Sequence, residues 1–419
     1  MQGHFPRVPP IHPSTRRVGE KNLEKKFMIT IPWPSGADLR ILGLMSGTSG
    51  DGIDGALVSF SPDGGFRLEW HEADAFPPAV RNRLQKLMRE GTPDDVALAS
   101  TWVAELYAGA VGIFRGRHPE SRIDALAAHG QTLAHVPDPR DWDGISVRGT
   151  LQVLNAQLLA ERACLPVVYD FRSRDLAAGG QGAPLVPLGD LRFFGHLAGE
   201  ETIVVLNVGG IANITVIRPG PAGAYVSAAF DTGPGNMLMD ALARELSGGA
   251  ENYDKDGRIA ASGRSDRAVV SDLLSDPYFR VAPPKSTGRD RFGEDRLRAI
   301  LQEKQGTVSG PDLMSSLLDV TVTSIADSLR NHVDPGGTAR RVVIAGGGAL
   351  NGELCRRLAA ALPDGCRLDS SDACGVPVSA REAMGFAALG EAFLRGRPGN
   401  IPAATGAAGP VILGAIVPA

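Results

Sequence analysis

Between two apolar segments, Leu42–Met45 and Ala56–Phe60, the chain inserts Ser46-Gly47-Thr48-Ser49-Gly50-Asp51-Gly52-Ile53-Asp54. The pattern predicts a strand, a tight turn and a second strand. Gly47, Gly50 and Gly52 allow positive φ and close approach of backbone to a ligand. Successive N–H groups in such a turn form a nest for phosphate oxygens, and Ser46, Thr48 and Ser49 add hydroxyls. Asp51 and Asp54 would repel a bare phosphate but suit the magnesium that travels with one. A polar hairpin turn is the plain alternative; the glycine, hydroxyl and carboxylate content of this segment favours phosphate.

The same opening recurs later. Strands are expected at Arg40–Met45, Ala56–Phe60 and Phe66–Glu72, then helices at Ala79–Glu90 and Asp95–Gly116, the second behind a Thr92-Pro93 start. A strand at Ile123–Ala128 ends on His129-Gly130-Gln131-Thr132, and strands Thr150–Leu154 and Pro166–Phe171 flank a helix that ends at Cys164. From Thr202 the order restarts: strand Thr202–Val208, turn Gly209-Gly210, strands Ile214–Arg218 and Ala224–Phe230, and a helix Asn236–Leu246. Helices Glu294–Gln302 and Asp312–His332 then lead to strand Arg341–Ala345, turn Gly346-Gly347-Gly348 and helix Leu350–Leu362. Two halves, each with a strand–glycine turn–strand–strand opening, give a long-period repeat and an α/β class. Facing halves would set their glycine turns across one nucleotide cleft.

Six further segments bear on the chemistry. Asn207, Gly209 and Gly210 close the first strand of the second half, where a second phosphate contact and a simple hairpin weigh equally. Asp231, in Phe230-Asp231-Thr232-Gly233-Pro234-Gly235-Asn236, ends a strand before a helix, so a catalytic base and a helix cap both fit. Gly346–Gly348 lack the last glycine of a dinucleotide fingerprint because Asn351 stands there, yet backbone contact to an adenosine remains open. Lys285-Ser286-Thr287 lacks the upstream glycine of a Walker A loop. Around the sugar-like end, His129, Gly130 and Gln131 fit polar donors or a structural histidine. Arg174 fits a carboxylate ligand or an ion pair with Asp170 or Asp175.

Bulk properties narrow the class. A net charge of −4 without a basic block beyond the N-terminal arm argues against nucleic acid as a partner. No apolar run approaches membrane-spanning length by eye, so no membrane partner is expected. Cys164, Cys355, Cys366 and Cys374 form no Cys-x-x-Cys pair and read as reduced, packed thiols of a cytoplasmic protein.

Taken together, the blocks Gly43–Asp54, His129–Thr132, Asp170–Pro187, Asn207–Asn213, Phe230–Asn236, Pro284–Phe292, Gly346–Asn351, Glu382–Phe386 and Pro398-Gly399-Asn400…Thr405-Gly406-Ala407 resemble the anhydro-N-acetylmuramic acid kinase family. The resemblance implies a two-domain actin-like fold (sugar kinase/Hsp70 ATPase type, ribonuclease H-like) with a nucleotide cleft between the domains. It implies ATP and Mg2+, an amino-sugar substrate, hydrolytic opening of the 1,6-anhydro ring and phosphorylation of O6, in cell-wall recycling. On this reading Gly47–Asp54 hold the ATP phosphates, with Asp51 near Mg2+ through water. Asn207, Gly209, Gly210 and Gly346–Gly348 complete the nucleotide site. Asp231 is the base, and His129, Gly130, Gln131, Arg174 and Glu382 contact the sugar. Two departures are noted: Gly50 replaces a larger apolar residue, and Leu154–Gln157 replaces a Gly-Asp/Asn-Pro-Ala-like segment. A kinase for a different sugar and a nucleotide-binding regulator without turnover are the alternatives, and a homodimer is left open.

The expected domains are 40–168 completed by about 387–419, and 169–386. Residues 1–39 read as an extension, being rich in Lys, Arg and Pro. Removing residues 1–27 is predicted to leave turnover and melting temperature unchanged, since the segment lacks the apolar content to join a core; thermal melts and kinetics of the truncated chain check this.

Overall fold

A computed structural model describes residues 36–47, 50–304, 306–333 and 339–419, apart from the Arg289 side chain. The 1–39 extension therefore lies almost wholly outside the described residues, as do Thr48 and Ser49. The strands are β1 (Leu39–Met45), β2 (Gly52–Phe60), β3 (Phe66–Ala75), β4 (Ala125–Ala128), β5 (Gln131–Trp142), β6 (Ile145–Val153) and β7 (Val167–Tyr169). They continue as β8 (Thr202–Val208), β9 (Ile211–Arg218), β10 (Tyr225–Pro234), β11 (Ala339–Ala345), β12 (Arg367–Ser370) and β13 (Ala415–Val417).

Two sheets share one plan. In the first, the order is β13-β7-β4-β1-β2-β3; in the second, β10-β9-β8-β11-β12. Each contains an antiparallel three-strand meander, whose first strand also pairs in parallel with a later strand that is itself parallel to the next. The long-period repeat is thus a duplication of one five-stranded unit, the arrangement of the actin-like fold. β13 adds an antiparallel edge to the first copy, and the hairpin β5–β6 is inserted after β4.

Central strands run apolar because both faces are covered. Leu42, Leu44, Ile53 and Leu57 pack with Tyr107, Val111 and Phe114 of the helix Pro93–Arg117. That helix begins with a capping box, Thr92 and Asp95 satisfying each other's backbone N–H groups. In the second copy Val204, Leu206, Ile214 and Val216 pack with Leu242, Leu317 and Ile325. The other face of the first sheet takes the helix Arg381–Leu394. It lies so close to β1 that a Cβ on Gly43 would sit 1.9 Å from the Ala383 carbonyl oxygen, which leaves glycine alone at that position.

Several expectations need amending. The helix Pro93–Arg117 is, by length and composition, apolar enough to cross a membrane; a third of its apolar window is buried against the sheet. Cys164 is exposed at the left-handed end of the helix Ala156–Ala163 rather than packed. β10 continues past Phe230 to Pro234 with a bulge between Asp231 and Gly233, so Asp231 lies within a strand, not at its end. The long β5, the edges β12 and β13 and the helix Val186–Phe194 lack a clear pattern and were not anticipated.

One buried ion pair joins the copies. Asp190, on the helix Val186–Phe194, accepts from Arg381 Nε and Nη2 at 2.9 and 2.7 Å, and from Thr215 Oγ1 of β9 at 2.7 Å. Both charged side chains are under 5% exposed. Removing one partner of such a pair leaves a buried charge uncompensated. Arg381→Ala is predicted to cost about 3–5 kcal/mol of unfolding free energy, and Thr215→Val about 1 kcal/mol, measured by urea denaturation.

Candidate active site

Four glycine turns picked out in the sequence follow the carboxyl end of an inner strand: β1 for Gly47–Gly52, β4 for His129–Gly130, β8 for Gly209–Gly210 and β11 for Gly346–Gly348. These ends are where α/β sheets leave backbone groups unpaired and open to ligands. No hydrogen bond among the described residues joins the first-copy turns to the second-copy turns.

In the first copy the turn is braced from below. Gln131 accepts from Ser46 Oγ at 2.8 Å and donates through Nε2 to the Gly47 carbonyl at 3.0 Å. It is 1% exposed, so it supports the phosphate-type turn rather than reaching a sugar. Gly50 takes φ +63° and its N–H bonds the Gly47 carbonyl at 3.1 Å. A Cβ there would press on Leu84, so glycine suits this departure. Ile53 is fully buried, leaving only its backbone for a ligand. Asp51 is exposed and ion-pairs with Arg81.

Asp54 groups elsewhere than expected. Its carboxyl is exposed at the surface, yet partial desolvation and then the neighbouring Glu382 hold it above the usual carboxylate range, with His71 pulling the other way. Glu382, exposed in the first turn of the helix Arg381–Leu394, also faces Arg172. Two carboxylates and one guanidinium therefore feel one another's charge at this end. Arg172 is the residue missed by sequence reasoning. Its Nε and Nη2 lie 3.1 and 3.0 Å from His129 Nε2, and its Nη1 donates to the Gly182 carbonyl at 2.8 Å. Burial pushes it down to about 10.

His129 is 5% exposed and both its ring nitrogens are engaged within the protein. Burial, then Arg172, push its imidazole down to about 3, so it stays neutral. Its Nδ1–H donates to the Gly130 carbonyl at 3.0 Å, its Nε2 accepts from Arg172, and its ring packs on Phe386. Gly130 takes φ +77° and its carbonyl also accepts from Tyr107 at 3.1 Å. Arg174 is exposed, and neither acid once considered as its partner engages it. Asp170 accepts from Ser173 Oγ, while Asp175 is taken by Gly182, Asn400 and Thr405.

In the second copy three loops interlock. The Gly209 carbonyl accepts from Asn236 N at 2.8 Å, and the Gly210 carbonyl from Gly235 N at 2.9 Å. Asn236 Nδ2 donates to the Val208 carbonyl at 3.2 Å. A Cβ on Gly235 would lie 2.3 Å from the Gly209 oxygen, and one on Gly346, at φ +76°, 2.7 Å from Asn207 Oδ1. Asn207, Gly209, Gly210, Asn236 and Gly346–Gly348 thus form one backbone-lined patch.

Asp231 sits beside that patch. Its Oδ2 accepts from Thr287 N at 2.9 Å, its N–H bonds the Lys285 carbonyl at 3.1 Å, and its own carbonyl accepts from Tyr278 Oη at 2.7 Å. It does not cap the following helix, which starts at Met237 after Asn236. Burial pushes its carboxyl up to about 6, against the Thr287 amide and Lys285, which pull it down. A carboxylate so placed, in no salt bridge among the described residues, is equipped to take a proton near neutral pH.

The donor set fits a magnesium carried by phosphates, which needs one or two carboxylates and keeps its waters. Asp51 supplies such a carboxylate at the solvent-open turn, and Arg81 already marks the spot as one that attracts a cation.

A family model described as anhydro-N-acetylmuramic acid kinase matches residues 39–419. The anhydro-N-acetylmuramic acid kinase of Cupriavidus pinatubonensis is 46% identical over 385 residues, covering 90% of this chain and 98% of its own. That of Caldanaerobacter subterraneus subsp. tengcongensis is 36% identical, covering 90% and 96%. Among solved structures, the inorganic polyphosphate/ATP-glucomannokinase from Arthrobacter sp. strain KM covers 83% of this chain and 97% of its own at 14% identity and a TM-score of 0.37; the fold assignment rests on the strand orders instead. With the relatives matched from end to end, the chain belongs to the anhydro-N-acetylmuramic acid kinase family.

Proposed function

We propose that this enzyme opens 1,6-anhydro-N-acetylmuramic acid with water and transfers the γ-phosphoryl of ATP to O6, yielding N-acetylmuramic acid 6-phosphate and ADP in the cytoplasm. The observation that carries the reading is Asp231: a carboxylate in a strand bulge beside a backbone-lined patch, without a salt bridge among the described residues and raised toward neutrality.

The backbone of Gly47–Gly52, with Thr48 and Ser49, holds the phosphates, and Asn207, Gly209, Gly210 and Gly346–Gly348 receive the rest of the nucleotide. Asp51 would hold Mg2+, which when bound would neutralise phosphate charge. Asp231 takes a proton from the water that attacks C1. The C1–O6 bond breaks, and O6 bonds to phosphorus as ADP leaves. Positioning and charge neutralisation do most of the remaining work, as phosphoryl transfer requires. Glu382 and Asp54 bind sugar hydroxyls, and Arg174 takes the lactyl carboxylate. His129 and Gln131 act from beneath, through Arg172 and through the Gly47 turn. The two lobes divide at the loops that flank β7 and the helix Arg381–Leu394. A boundary at 168/169 falls inside β7, and one near 386/387 falls inside the helix Arg381–Leu394.

ATP consumption with the anhydro sugar, with plain N-acetylmuramic acid and with no sugar tests the assignment. Turnover only with the anhydro sugar is expected; none with it overturns the reading.

Asp231→Asn keeps size and one hydrogen bond but cannot take a proton. It is predicted to lower kcat by about 10²–10⁴ while both ligands still bind, as followed by calorimetry and steady-state kinetics. Because Asp231 must be ionised and its carboxyl sits near 6, kcat of the wild type should rise with pH through about 6 and level off above it. Arg174→Ala is predicted to raise KM for the sugar about ten- to a hundredfold and leave KM for ATP unchanged, a charge-assisted contact being at stake.

A further inference from the structure

The C-terminal segment Pro398–Ala408 carries two polar side chains that are almost wholly buried, Asn400 at 3% and Thr405 at 1% exposure. Both end on one carboxylate. Asn400 Nδ2 and Thr405 Oγ1 each donate to Asp175 Oδ1 at 2.8 Å, while Gly182 N donates to Oδ2 at 2.7 Å. Asp175 is itself 0% exposed and has no cationic partner among the described residues. A buried carboxylate held by neutral donors alone depends on all of them, because each lost donor leaves charge unsolvated.

The geometry extends outward from this acid. The loop over it runs Gly179-Gly180-Gln181-Gly182, and a Cβ on Gly180 would stand 2.2 Å from Asp175 Oδ2, so only glycine closes over the carboxylate. Two backbone bonds stitch that loop to the tail, Gln181 N to the Thr405 carbonyl at 2.8 Å and Ala408 N to the Ala178 carbonyl at 2.9 Å. The Gly182 carbonyl then receives Arg172 Nη1, and Arg172 in turn receives its orientation from His129. Arg174 leaves the short helix Ser173–Ala177 whose centre is Asp175. On its other side, the turn Pro402–Thr405 packs against β10, the strand of Asp231.

We infer that Asn400 and Thr405 are positioning residues: through Asp175 they hold the Arg172–Arg174 loop in register with the Asp231 strand, and so set affinity for the sugar and not for ATP. The inference rests on the proposed sugar kinase reading. None of these residues lies in the nucleotide turns, which are braced by Gln131 and by Asn236 instead. A tail that served stability alone would shift both affinities together or neither.

Thr405→Val keeps shape and removes the donor; Thr405→Ser keeps the donor and loses a methyl. In the full chain, Thr405→Val is expected to raise KM for the anhydro sugar about tenfold with KM for ATP within about twofold, and Thr405→Ser to restore it. An unchanged sugar KM in Thr405→Val, a parallel rise in both KM values, or failure of Thr405→Ser to rescue would overturn the inference. Asn400→Ser, which removes the other side-chain donor to Asp175 Oδ1 along with the bonds Asn400 makes to Gly409 and Val411, is read in the same way if Thr405→Val does not fold. Hydrogen exchange separates this inference from the activity assignment. Faster exchange at residues 178–182 in Thr405→Val than in Thr405→Ser is expected even if wild type turns over no anhydro sugar, and equal exchange there overturns the inference whatever the substrate.

Discussion

The fold turns on a carboxylate that water never reaches. Asp190 is shared by an arginine from the helix that covers the first sheet and a threonine from the second sheet. Burying that charge is costly, and its attraction to Arg381 is offset largely by desolvation, so the gain is in geometry more than in stability. The guanidinium meets the carboxylate through two N–H groups, which fixes direction as well as distance. Glu382 follows Arg381 directly in the chain. The same contact that joins the sheets therefore sets where a proposed sugar-binding carboxylate stands.

Around that joint the duplicated unit has been used in two ways. The first copy presents side chains: Asp51 from the turn after β1, Asp54 from the start of β2, and Arg172 from the loop after β7, held by His129 at the end of β4. In the second the loops after β8, β10 and β11 present mostly backbone, because Gly235 and Gly346 let three turns touch where any Cβ would collide. One copy is shaped for charge and the other for close approach.

Much of this was legible in the chain. Central strands announced themselves because both faces are apolar, and β8 was read to the residue, Thr202–Val208. Glycine turns at strand ends were legible for the same reason, since their composition is needed locally. What escaped depended on contacts distant in sequence. Arg172 and Arg174 look alike in the run Asp170–Asp175, and only His129, 43 residues earlier, decides which is anchored. His129 and Gln131 read as ligand contacts because a buried polar residue and an exposed one have the same letter. β12 and β13 were invisible because edge strands of three or four residues carry no period worth reading. Asp231 was placed at a strand end because a bulge, which changes pairing by one residue, leaves little trace in composition.

The junction of β4 and β5 carries a consequence for how this protein tolerates change. Three consecutive residues there serve different parts of the molecule: His129 anchors Arg172, Gly130 turns the chain at positive φ, and Gln131 props the Gly47 turn. Adding or deleting one residue in that tripeptide would hand each position its neighbour's task, and none is chemically able to perform it. The hairpin that follows ends in an exposed tip, Trp142–Ile145, where extra length costs little because loop closure grows only slowly with length. Insertions can therefore accumulate about a dozen residues away from a point in the chain where the residue count is frozen.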